Sequence, residues 1–320
     1  MQYHYSLYGM RVAADLEFGQ LDPVRLPDKD ENFGQEEVRI LAMNEQEEAQ
    51  FRKEHGECVC GSFLGTKESW LCNRTLEMRV EQGQVIRYHI RQGGDSGAVR
   101  TYLLGFGMAM LAMQQGKLAF HCSALVSPEG KGLLIAGESG AGKSTLTAEL
   151  LKRGYRFLAD DMAVVDIAGK DGPWVYPSFP YMKLCRDAAL RQGYAPEELF
   201  YIDEKKDKFL VPCIDVFRRE KAQLERFVFL EILPEKEETE KPSGKVKTDW
   251  ITGSDSMLVY KENLFLRHLW KRQDPGMEIW QNCLRMAEQI SVCSVKRPAA
   301  GDSTAEVAAE VHALRKAVSA

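Results

Sequence analysis

The stretch GESGAGKSTLTAELLKRGYRFLADD, residues 137–161, decides the fold of this 320-residue chain. Its first eight residues match the pattern G-x4-G-K-[ST], in which a glycine-rich backbone closes around phosphate oxygens. The apolar run LLIA precedes the motif and STLTAELLKR follows it, which predicts a strand, a loop and a helix in that order. This is the context that a phosphate-binding loop (P-loop) requires. We therefore expect an α/β fold with a nucleotide at the loop.

Each residue type in the loop has a chemical role. Glycines let backbone N–H groups approach phosphate oxygens, and the helix that follows adds the positive end of its dipole. Lys143 is expected to reach the β- and γ-phosphates of ATP, and the Ser144 hydroxyl to ligate Mg²⁺. The predicted cofactors are therefore ATP and Mg²⁺, and the predicted nucleotide-binding residues are Gly137, Glu138, Ser139, Gly140, Ala141, Gly142, Lys143, Ser144 and Thr145.

Two adjacent carboxylates, Asp160 and Asp161, end the same stretch. One helix, one glycine turn and one short strand separate them from Lys143, so we expect them at the carboxyl end of the strand neighbouring the P-loop strand. Ligands bind at that edge of an open α/β sheet. Two carboxylates beside a triphosphate suit the holding of Mg²⁺ and the acceptance of a proton from an attacking hydroxyl. The alternative interpretation is an acidic turn that caps the next element.

Other candidate ligands carry weaker signals. His121 lies in the strand predicted before the P-loop strand, and alone it is typical of a buried histidine held by a backbone carbonyl. His55, Cys58, Cys60 and Cys72 are a poor match to a zinc knuckle, because the cysteine step is C-x-C and no second pair follows. Small apolar fillers and incidental thiols are the interpretation that we favour for this cluster.

The overall composition argues against several classes of protein. A net charge of −5 gives no general footprint for nucleic-acid binding. No apolar run approaches the length that spans a bilayer, and residues 1–17 lack the core of a signal peptide. We therefore expect a cytoplasmic protein whose partners include neither nucleic acid nor membrane.

The chain divides into two predicted regions. Alternating apolar and polar residues, as at Tyr3–Tyr8 and Val85–Ile90, predict strands between turn clusters. Residues 1–97 are therefore interpreted as a β-rich N-terminal region, a candidate for substrate binding, and residues 98–320 as the P-loop domain. Within the second region, a helix is predicted at 101–114, a continuous strand at 118–126, helical segments at 263–271 and 305–317, and a last strand at 290–295.

Residues 137–161 resemble the catalytic core of the HPr kinase/phosphorylase family. The family pattern reads G-E-S-G-x-G-K-S, then E-L-x-K-R-G, then A-D-D at the same spacing, and it carries a histidine on the preceding strand, here His121. The resemblance implies a phosphoenolpyruvate-carboxykinase-like P-loop fold and transfer of phosphate to a serine hydroxyl. It also implies Asp161 as the base and Asp160 with Ser144 as the Mg²⁺ ligands, two aspartate roles that could be exchanged. Lys143 and His121 complete the predicted catalytic set.

The resemblance is strong over residues 118–166 and weaker in the rest of the chain. Downstream, YPSFPYMKL at 176–184 stands where the family has a glycine-rich signature with an acidic metal ligand. The opening YSLYGMRVAADLEF, residues 5–18, resembles stand-alone HPr-kinase-like proteins of bacterial peptide-biosynthesis clusters. Those proteins include kinases that phosphorylate the C-terminal serine of lasso-peptide precursors.

Three functions follow from these patterns. The favoured one is an ATP-dependent serine kinase acting on a peptide or protein, with a lasso-peptide-like precursor as the expected acceptor. The second is an HPr kinase, or a kinase of a small molecule with a free hydroxyl. The third is a nucleotide-gated peptide-binding module without catalysis, whose β-rich region pairs with a peptide strand. A homo-oligomer is expected because HPr kinases assemble as hexamers, and candidate cations for the transferring phosphoryl group are Lys183, Lys205, Lys208, Arg218 and Arg219.

Overall fold

A computed structural model describes residues 2–27, 37–56, 60–202, 207–233, 246–272 and 276–314. Strands in these ranges form a seven-stranded sheet, a nine-stranded sheet and a three-stranded sheet. The fold is α/β with a β-rich N-terminal region, as the sequence predicts. No helix among the described residues is long and apolar enough to cross a membrane.

The seven-stranded sheet is built by the N-terminal residues. Its strand order is β1-β2-β3-β7-β6-β5-β4, with β3 parallel to both of its neighbours. Helix α1 (Glu45–His55) follows β3 and begins with a capping box, in which Asn44 and Glu47 satisfy each other's backbone N–H groups. The strands are β1 (Tyr3–Leu7), β2 (Met10–Ala14), β3 (Glu37–Ala42), β4 (Gly61–Leu64), β5 (Glu68–Cys72), β6 (Leu76–Glu81) and β7 (Val85–Ile90).

A long helical segment joins this sheet to the rest of the chain. It consists of α2 (Ser96–Tyr102), a π-helical turn (Leu103–Gly107) and α3 (Met108–Gln114). The segment therefore begins at Ser96, earlier than predicted, because the Asp95 carboxylate accepts the backbone N–H of Ala98 and caps α2. Helix α3 contacts both β6 and β8, and its residues Met108 and Met110 are buried in the core.

The nine-stranded central sheet contains the P-loop strand. Strands β10, β17 and β19 run parallel to one another, and β9 lies antiparallel between β10 and β11. The carboxyl ends of β10, β11, β17 and β19 therefore meet at one edge. The strands are β8 (Leu118–Phe120), β9 (Ser123–Val126), β10 (Gly132–Gly137), β11 (Arg156–Ala159), β12 (Ala163–Asp166), β13 (Trp174–Val175), β17 (Ala222–Ile232), β18 (Lys247–Ile251) and β19 (Val292–Arg297).

Two sequence predictions about this sheet were wrong. The predicted continuous strand at 118–126 breaks at His121, because the His121 N–H donates to the carbonyl of Asn263 instead of to a sheet partner. As a result β8 pairs with β12, whereas β9 pairs with β10 and β11. The strand that leads to the acidic pair, β11, is also not the direct neighbour of β10, since β9 lies between them.

The remaining elements surround the central sheet. The predicted helix at 263–271 was confirmed in part: Arg267–Arg272 forms a 3₁₀-helix. It begins later than predicted because Leu264 bridges to Phe120 and the Phe265 N–H donates to the Ala119 carbonyl. The helices are α4 (Lys143–Lys152), α5 (Arg186–Arg191), α6 (Ser254–Glu262), α7 (Met277–Ala287) and α8 (Thr304–Ala313). The three-stranded sheet consists of β14 (Tyr181–Cys185), β16 (Lys208–Pro212) and β15 (Phe200–Ile202), in that spatial order.

The turn between β1 and β2 docks the N-terminal sheet onto the core. Tyr8 and Gly9 both have positive φ, at 52° and 74°, and the Tyr8 N–H donates to the Pro177 carbonyl at 2.9 Å. A Cβ at Gly9 would lie 2.2 Å from Cδ1 of Tyr176, so the ring of Tyr176 packs directly on the glycine. This contact buries the Tyr8 side chain beside the central sheet.

Replacing Gly9 with alanine should loosen this contact. The change adds a methyl group into the ring of Tyr176 and imposes a positive φ on an L-residue, so we expect a loss of about 2 kcal/mol in the free energy of unfolding. Gly19→Ala is the matched control, because a Cβ there meets nothing within 4 Å. Urea denaturation of both variants measures the difference. Equal stability of the two variants would contradict the docking contact.

Candidate functional site

The P-loop connects the end of β10 to the start of α4. Gly137 has φ of 143°, and a Cβ there would lie 2.3 Å from the backbone oxygen of Leu230. Gly142 has φ of 105° and immediately precedes α4. Both positions therefore require glycine, the first for space and the second for conformation. The loop thus directs backbone N–H groups and a helix N-terminus towards one point, which suits a phosphate.

Lys143 lies across this loop. Its ammonium donates to the carbonyls of Gly137 at 2.7 Å and Glu138 at 3.1 Å. Burial lowers the pKa of Lys143, and the nearby charge of Asp160 acts in the opposite direction. Since both of these partners are neutral carbonyls, the ammonium is available to an anionic ligand at the loop.

Arg297, at the end of β19, supports the loop from behind. Its Nε donates to the Ala141 carbonyl at 2.7 Å and its Nη2 to the Gly140 carbonyl at 3.2 Å. The sequence reasoning missed this residue because it ended the last strand at Val295, which left Arg297 in a loop of no predicted role. Arg297 could have been predicted from the strand directions, because β19 runs parallel to β10 and the carboxyl ends of both strands therefore lie at the same edge of the sheet.

Asp160 follows β11 at this edge and is held by two hydrogen bonds. One carboxylate oxygen accepts the Ser123 hydroxyl at 2.6 Å and the other accepts the Lys183 N–H at 2.8 Å. Burial raises the pKa of Asp160, and these two hydrogen bonds act against the increase. Ser123 begins β9, and no sequence motif marked it.

Asp161 has a strained backbone and a crowded carboxylate. Its φ is 66°, a conformation that L-residues rarely adopt outside functional sites and tight turns. One carboxylate oxygen accepts the Lys183 ammonium at 3.0 Å, and the other lies 3.7 Å from Nδ1 of His121. Burial by itself would raise the pKa of Asp161, but the charges of Lys183, His121 and Lys208 together lower it to about 2.

His121 bridges the break between β8 and β9. Its Nδ1–H donates to the backbone carbonyl of Asp161 at 2.9 Å, which leaves Nε2 to face outward. Burial lowers the pKa of His121, opposed by the carboxylate of Asp161, so the ring is mainly neutral near pH 7. The expected backbone carbonyl is present, but 46% of the side chain is exposed and it lies beside the acidic pair.

The environments of the two aspartates move their pKa values in opposite directions. This separation is typical of carboxylate pairs whose members have different chemical tasks. Lys183 is the common partner, because its N–H binds Asp160 while its ammonium binds Asp161. Asp161 is therefore the ionised member that a neighbouring hydroxyl would meet.

The candidate cations divide by position. Lys183 and Lys208 act on Asp161, as described above. Arg218 lies at the opposite end of the central sheet, where its N–H binds the Phe157 carbonyl and its side chain lies near Gly130, and Arg219 is exposed beside it. Lys205 lies outside the described residues. Arg218 and Arg219 therefore cannot reach the phosphates at the P-loop.

The residues of the weak zinc pattern do not form a thiol cluster within the part of the chain that the structure describes. Cys60 is exposed, Cys72 accepts a hydrogen bond from Arg91, and the ring of His55 stacks against Trp70. Cys58 lies outside the described residues. The small-filler interpretation fits Cys72, which is buried beside Phe51.

The side chains of Ser144 and Asp160 fit a magnesium ion by their chemistry. Both offer oxygen donors, which Mg²⁺ prefers, and it commonly binds through one or two protein groups together with substrate phosphates. Each oxygen of Asp160 already accepts one hydrogen bond and retains a second lone pair. The Ser123 and Lys183 contacts would then orient the carboxylate, as outer-shell partners do at metal sites.

Two cavities adjoin these groups. A cavity of about 300 Å³ is lined by Ala141, Gly142, Thr145 and Arg297, and it lies beside the start of α4. A larger cavity of about 760 Å³ opens at the acidic pair and reaches the N-terminal region at Tyr8 and Gln20. The P-loop therefore lies next to the smaller cavity, and the acidic pair lies next to the larger one.

Removing the Lys183 ammonium should raise the pKa of Asp161. In Lys183→Met we expect an increase of at least about one unit, because the strongest attractive charge is lost. Carbon-detected NMR titration of the aspartate carboxyls measures it, with Lys131→Met, at the other end of β10, as control. Because the pKa of Asp161 is lower in the folded protein than in the unfolded chain, its ionisation stabilises the fold at pH values above the unfolded-state pKa. This stabilisation is lost as the pH falls towards 2. The variant should lose it at a higher pH, whereas an unchanged titration would refute the ion pair.

Arg297→Ala should weaken nucleotide binding without disturbing the sheet. Two loop carbonyls lose their charged donor, so the P-loop backbone becomes less ordered and the Kd for ATP is expected to rise about tenfold. Lys296→Ala, one residue earlier on the same strand, is the control. Calorimetric titration with MgATP compares them, and equal affinity would show that Arg297 does not order the loop.

The comparisons with known proteins point to the same segment. Residues 115–175 match the family described as HPr Serine kinase C-terminal domain. An HPr kinase/phosphorylase of Clostridium botulinum (strain Eklund 17B / Type B) is 54% identical over 48 residues, which are 15% of each protein. One of Streptococcus gordonii is 30% identical over 149 residues, covering 42% of this chain and 44% of that protein.

A solved structure shows a weaker overall likeness. The Hpr(Ser) kinase/phosphatase from Coxiella burnetii matches 62% of this chain and 92% of its own at 13% identity, with a TM-score of 0.32. In the two curated relatives, from Clostridium botulinum and Streptococcus gordonii, the matched part spans less than half of the relative's length. The P-loop and the acidic pair both lie within residues 115–175, the segment that is similar to the HPr Serine kinase C-terminal domain.

Proposed function

We propose that this protein is an ATP-dependent serine kinase that phosphorylates a peptide or protein. The observation that carries the proposal is the arrangement of Asp161 at the P-loop edge of the sheet. Its carboxylate is kept ionised by Lys183 and lies beside His121. A nucleotide-gated binding module would have no need of an ionised carboxylate held beside the phosphate site, so this geometry favours catalysis over simple binding.

The P-loop residues from Gly137 to Thr145 would bind ATP. Lys143 would exchange its two backbone carbonyls for the β- and γ-phosphate oxygens, which are stronger acceptors because they are charged. The smaller cavity, beside Thr145 and Arg297, would then accept the nucleoside. Mg²⁺ bound to Ser144 and Asp160 would neutralise charge on the phosphates.

Asp161 would act as the base, in the role that the family resemblance implies. The serine hydroxyl gives its proton to the carboxylate, its oxygen forms a bond to the γ-phosphorus, and the bond from that phosphorus to the β,γ-bridging oxygen breaks to release ADP. His121 would orient Asp161 through the carbonyl contact. We assign Asp160 to the metal because its two hydrogen bonds fix the orientation of the carboxylate, while each oxygen keeps a second lone pair for the ion.

Lys183 would connect phosphate binding to this proton transfer. A carboxylate with a pKa of about 2 is a weak base, but a γ-phosphate would compete with Asp161 for the Lys183 ammonium. The pKa of Asp161 would rise as the ion pair loosens, which would make it a better proton acceptor when ATP is present. Lys183 would also stabilise charge on the transferring phosphoryl group.

The finer assignment concerns the acceptor. We propose a ribosomally made precursor peptide of the lasso-peptide type, on the basis of the resemblance of residues 5–18 to stand-alone kinases of peptide-biosynthesis clusters. The same residues form the hairpin that places Tyr8 against the core, so they lie where an acceptor could be recognised. A homo-oligomer and a cytoplasmic location belong to the same proposal.

Mass spectrometry of candidate acceptors tests the function. Precursor peptides encoded beside the gene, HPr and free serine are each incubated with the protein, ATP and Mg²⁺. We expect one phosphate on a serine of a peptide, lost in Lys143→Ala because ATP is no longer held. In Asp161→Asn the transfer rate should fall at least about 100-fold while the Kd for ATP changes little.

Asp171→Asn is the matched control, because this aspartate is exposed and lies in the loop after β12, a strand that leads away from the pair. It should phosphorylate the acceptor at the wild-type rate. Full activity of Asp161→Asn would rule out the proposed base. Phosphorylation of HPr or free serine instead of any peptide would move the assignment to the second of the three functions.

A further inference from the structure

The larger cavity is shared by the N-terminal region and the core. The acidic pair and Lys183 form its inner end. Tyr8 and Gln20 line it from the N-terminal region. Burial is the main cause that raises the pKa of the Tyr8 hydroxyl, and the nearby charge of Asp161 raises this pKa further. A volume of about 760 Å³ lies within the range of sites that enclose a sizeable ligand. The space therefore extends from the reacting groups to a region outside the matched family segment.

Most of the wall behind the acidic pair is apolar. Leu104, Phe106, Phe179, Leu210 and Phe265 line it, from four different parts of the chain. The rings of Phe106 and Phe265 pack edge-to-face at 5.6 Å, so this wall is a formed surface. Apolar surface at the mouth of a site favours apolar groups on the ligand that it receives.

The π-helical turn shapes this wall. The turn at Leu103–Gly107 interrupts the helix next to the site, and π-helical turns are frequent at functional sites. A Cβ at Gly105 would have only Phe265 as a neighbour, at 3.5 Å, so the glycine leaves room at the cavity surface. Thr101 lines the same face one turn earlier, with its hydroxyl bound to the Gly97 carbonyl.

The outer rim carries more acidic than basic residues. Glu17, Asp22 and Asp95 line it together with Arg100. Arg25 pairs with Glu17 at 3.4 Å and with Asp22 at 3.8 Å, so part of this charge is balanced. A ligand with carboxylates beside its hydroxyl would still meet like charges at the rim and at the acidic pair.

We propose that this cavity is the acceptor site, and that it takes a peptide segment whose reacting serine is flanked by apolar residues. The proposal rests on the kinase function proposed above and deepens it. The serine hydroxyl would point to Asp161, and the flanking side chains would pack on the apolar wall. The N-terminal region would thus select the acceptor within the same chain, and acidic flanks would be rejected.

A series of synthetic peptides tests the selectivity. Each has blocked ends and a single serine in the frame Gly-Gly-X-Ser-X-Gly-Gly, with X as leucine, phenylalanine, lysine or aspartate. We expect kcat/KM for the leucine and phenylalanine peptides to exceed that of the aspartate peptide at least about tenfold. Equal rates across the series, or preference for aspartate, would overturn the proposal.

Two filling variants test the location. Thr101→Trp and Gly105→Leu each place a larger side chain in this cavity, and neither residue lines the cavity beside the P-loop. Both variants should therefore lower kcat/KM for the leucine peptide at least about tenfold. The Kd for MgATP should stay within about twofold of wild type. Thr66→Trp, an exposed threonine in the β4–β5 turn, is the matched control and should retain full activity. Unchanged kcat/KM in both filling variants would overturn the location.

Peptide binding separates failure of this inference from failure of the kinase function. Fluorescence anisotropy of a labelled leucine peptide is measured with a non-hydrolysable ATP analogue and Mg²⁺. Binding that is lost in Thr101→Trp without any phosphorylation by wild type would support the site and refute the kinase. Phosphorylation of the peptides that is insensitive to both filling variants would support the kinase and refute the site.

Discussion

The contacts of Lys183 with the two aspartates are the constraint on which the candidate site depends. One residue of β14 binds Asp160 through its backbone N–H and Asp161 through its ammonium. These contacts join the three-stranded sheet to the end of β11, and they fix the orientation of both carboxylates. Without the ammonium, two buried neighbouring carboxylates would repel each other, and burial would favour their protonated forms. The charge state of the site is therefore set by an element outside the P-loop.

The P-loop itself is ordered by a different set of contacts. Gly137 meets the backbone of β17 closely, and Arg297 binds two loop carbonyls from the end of β19. Since β10, β17 and β19 are parallel neighbours, each reaches the loop from the same edge. The P-loop and the acidic pair are thus held by separate parts of the central sheet, with β9 and its Ser123 between them.

The N-terminal region takes part in the site through a small number of residues. The Tyr8–Gly9 turn packs on Tyr176 and Pro177, just before the strand that carries Lys183. This places Tyr8 near Asp161, and residues of both regions line the larger cavity. In this arrangement an acceptor would be enclosed by segments that are distant in sequence, whereas the P-loop lies within residues 115–175, the segment that matches the family.

The sequence by itself determined the local parts of this protein. The P-loop could be predicted because its glycines, Lys143 and Ser144 are consecutive, and their geometry depends on short-range conformational preferences. The α/β class, the N-terminal strands and the acidic pair followed from periodicity and spacing for the same reason. The tertiary structure alone decided the strand break at His121, the placement of β9 between β10 and β11, and the partners Ser123, Lys183 and Arg297. These features arise from contacts between residues far apart in the chain, and hydrophobic periodicity along one segment carries no information about which distant segment will pack against it.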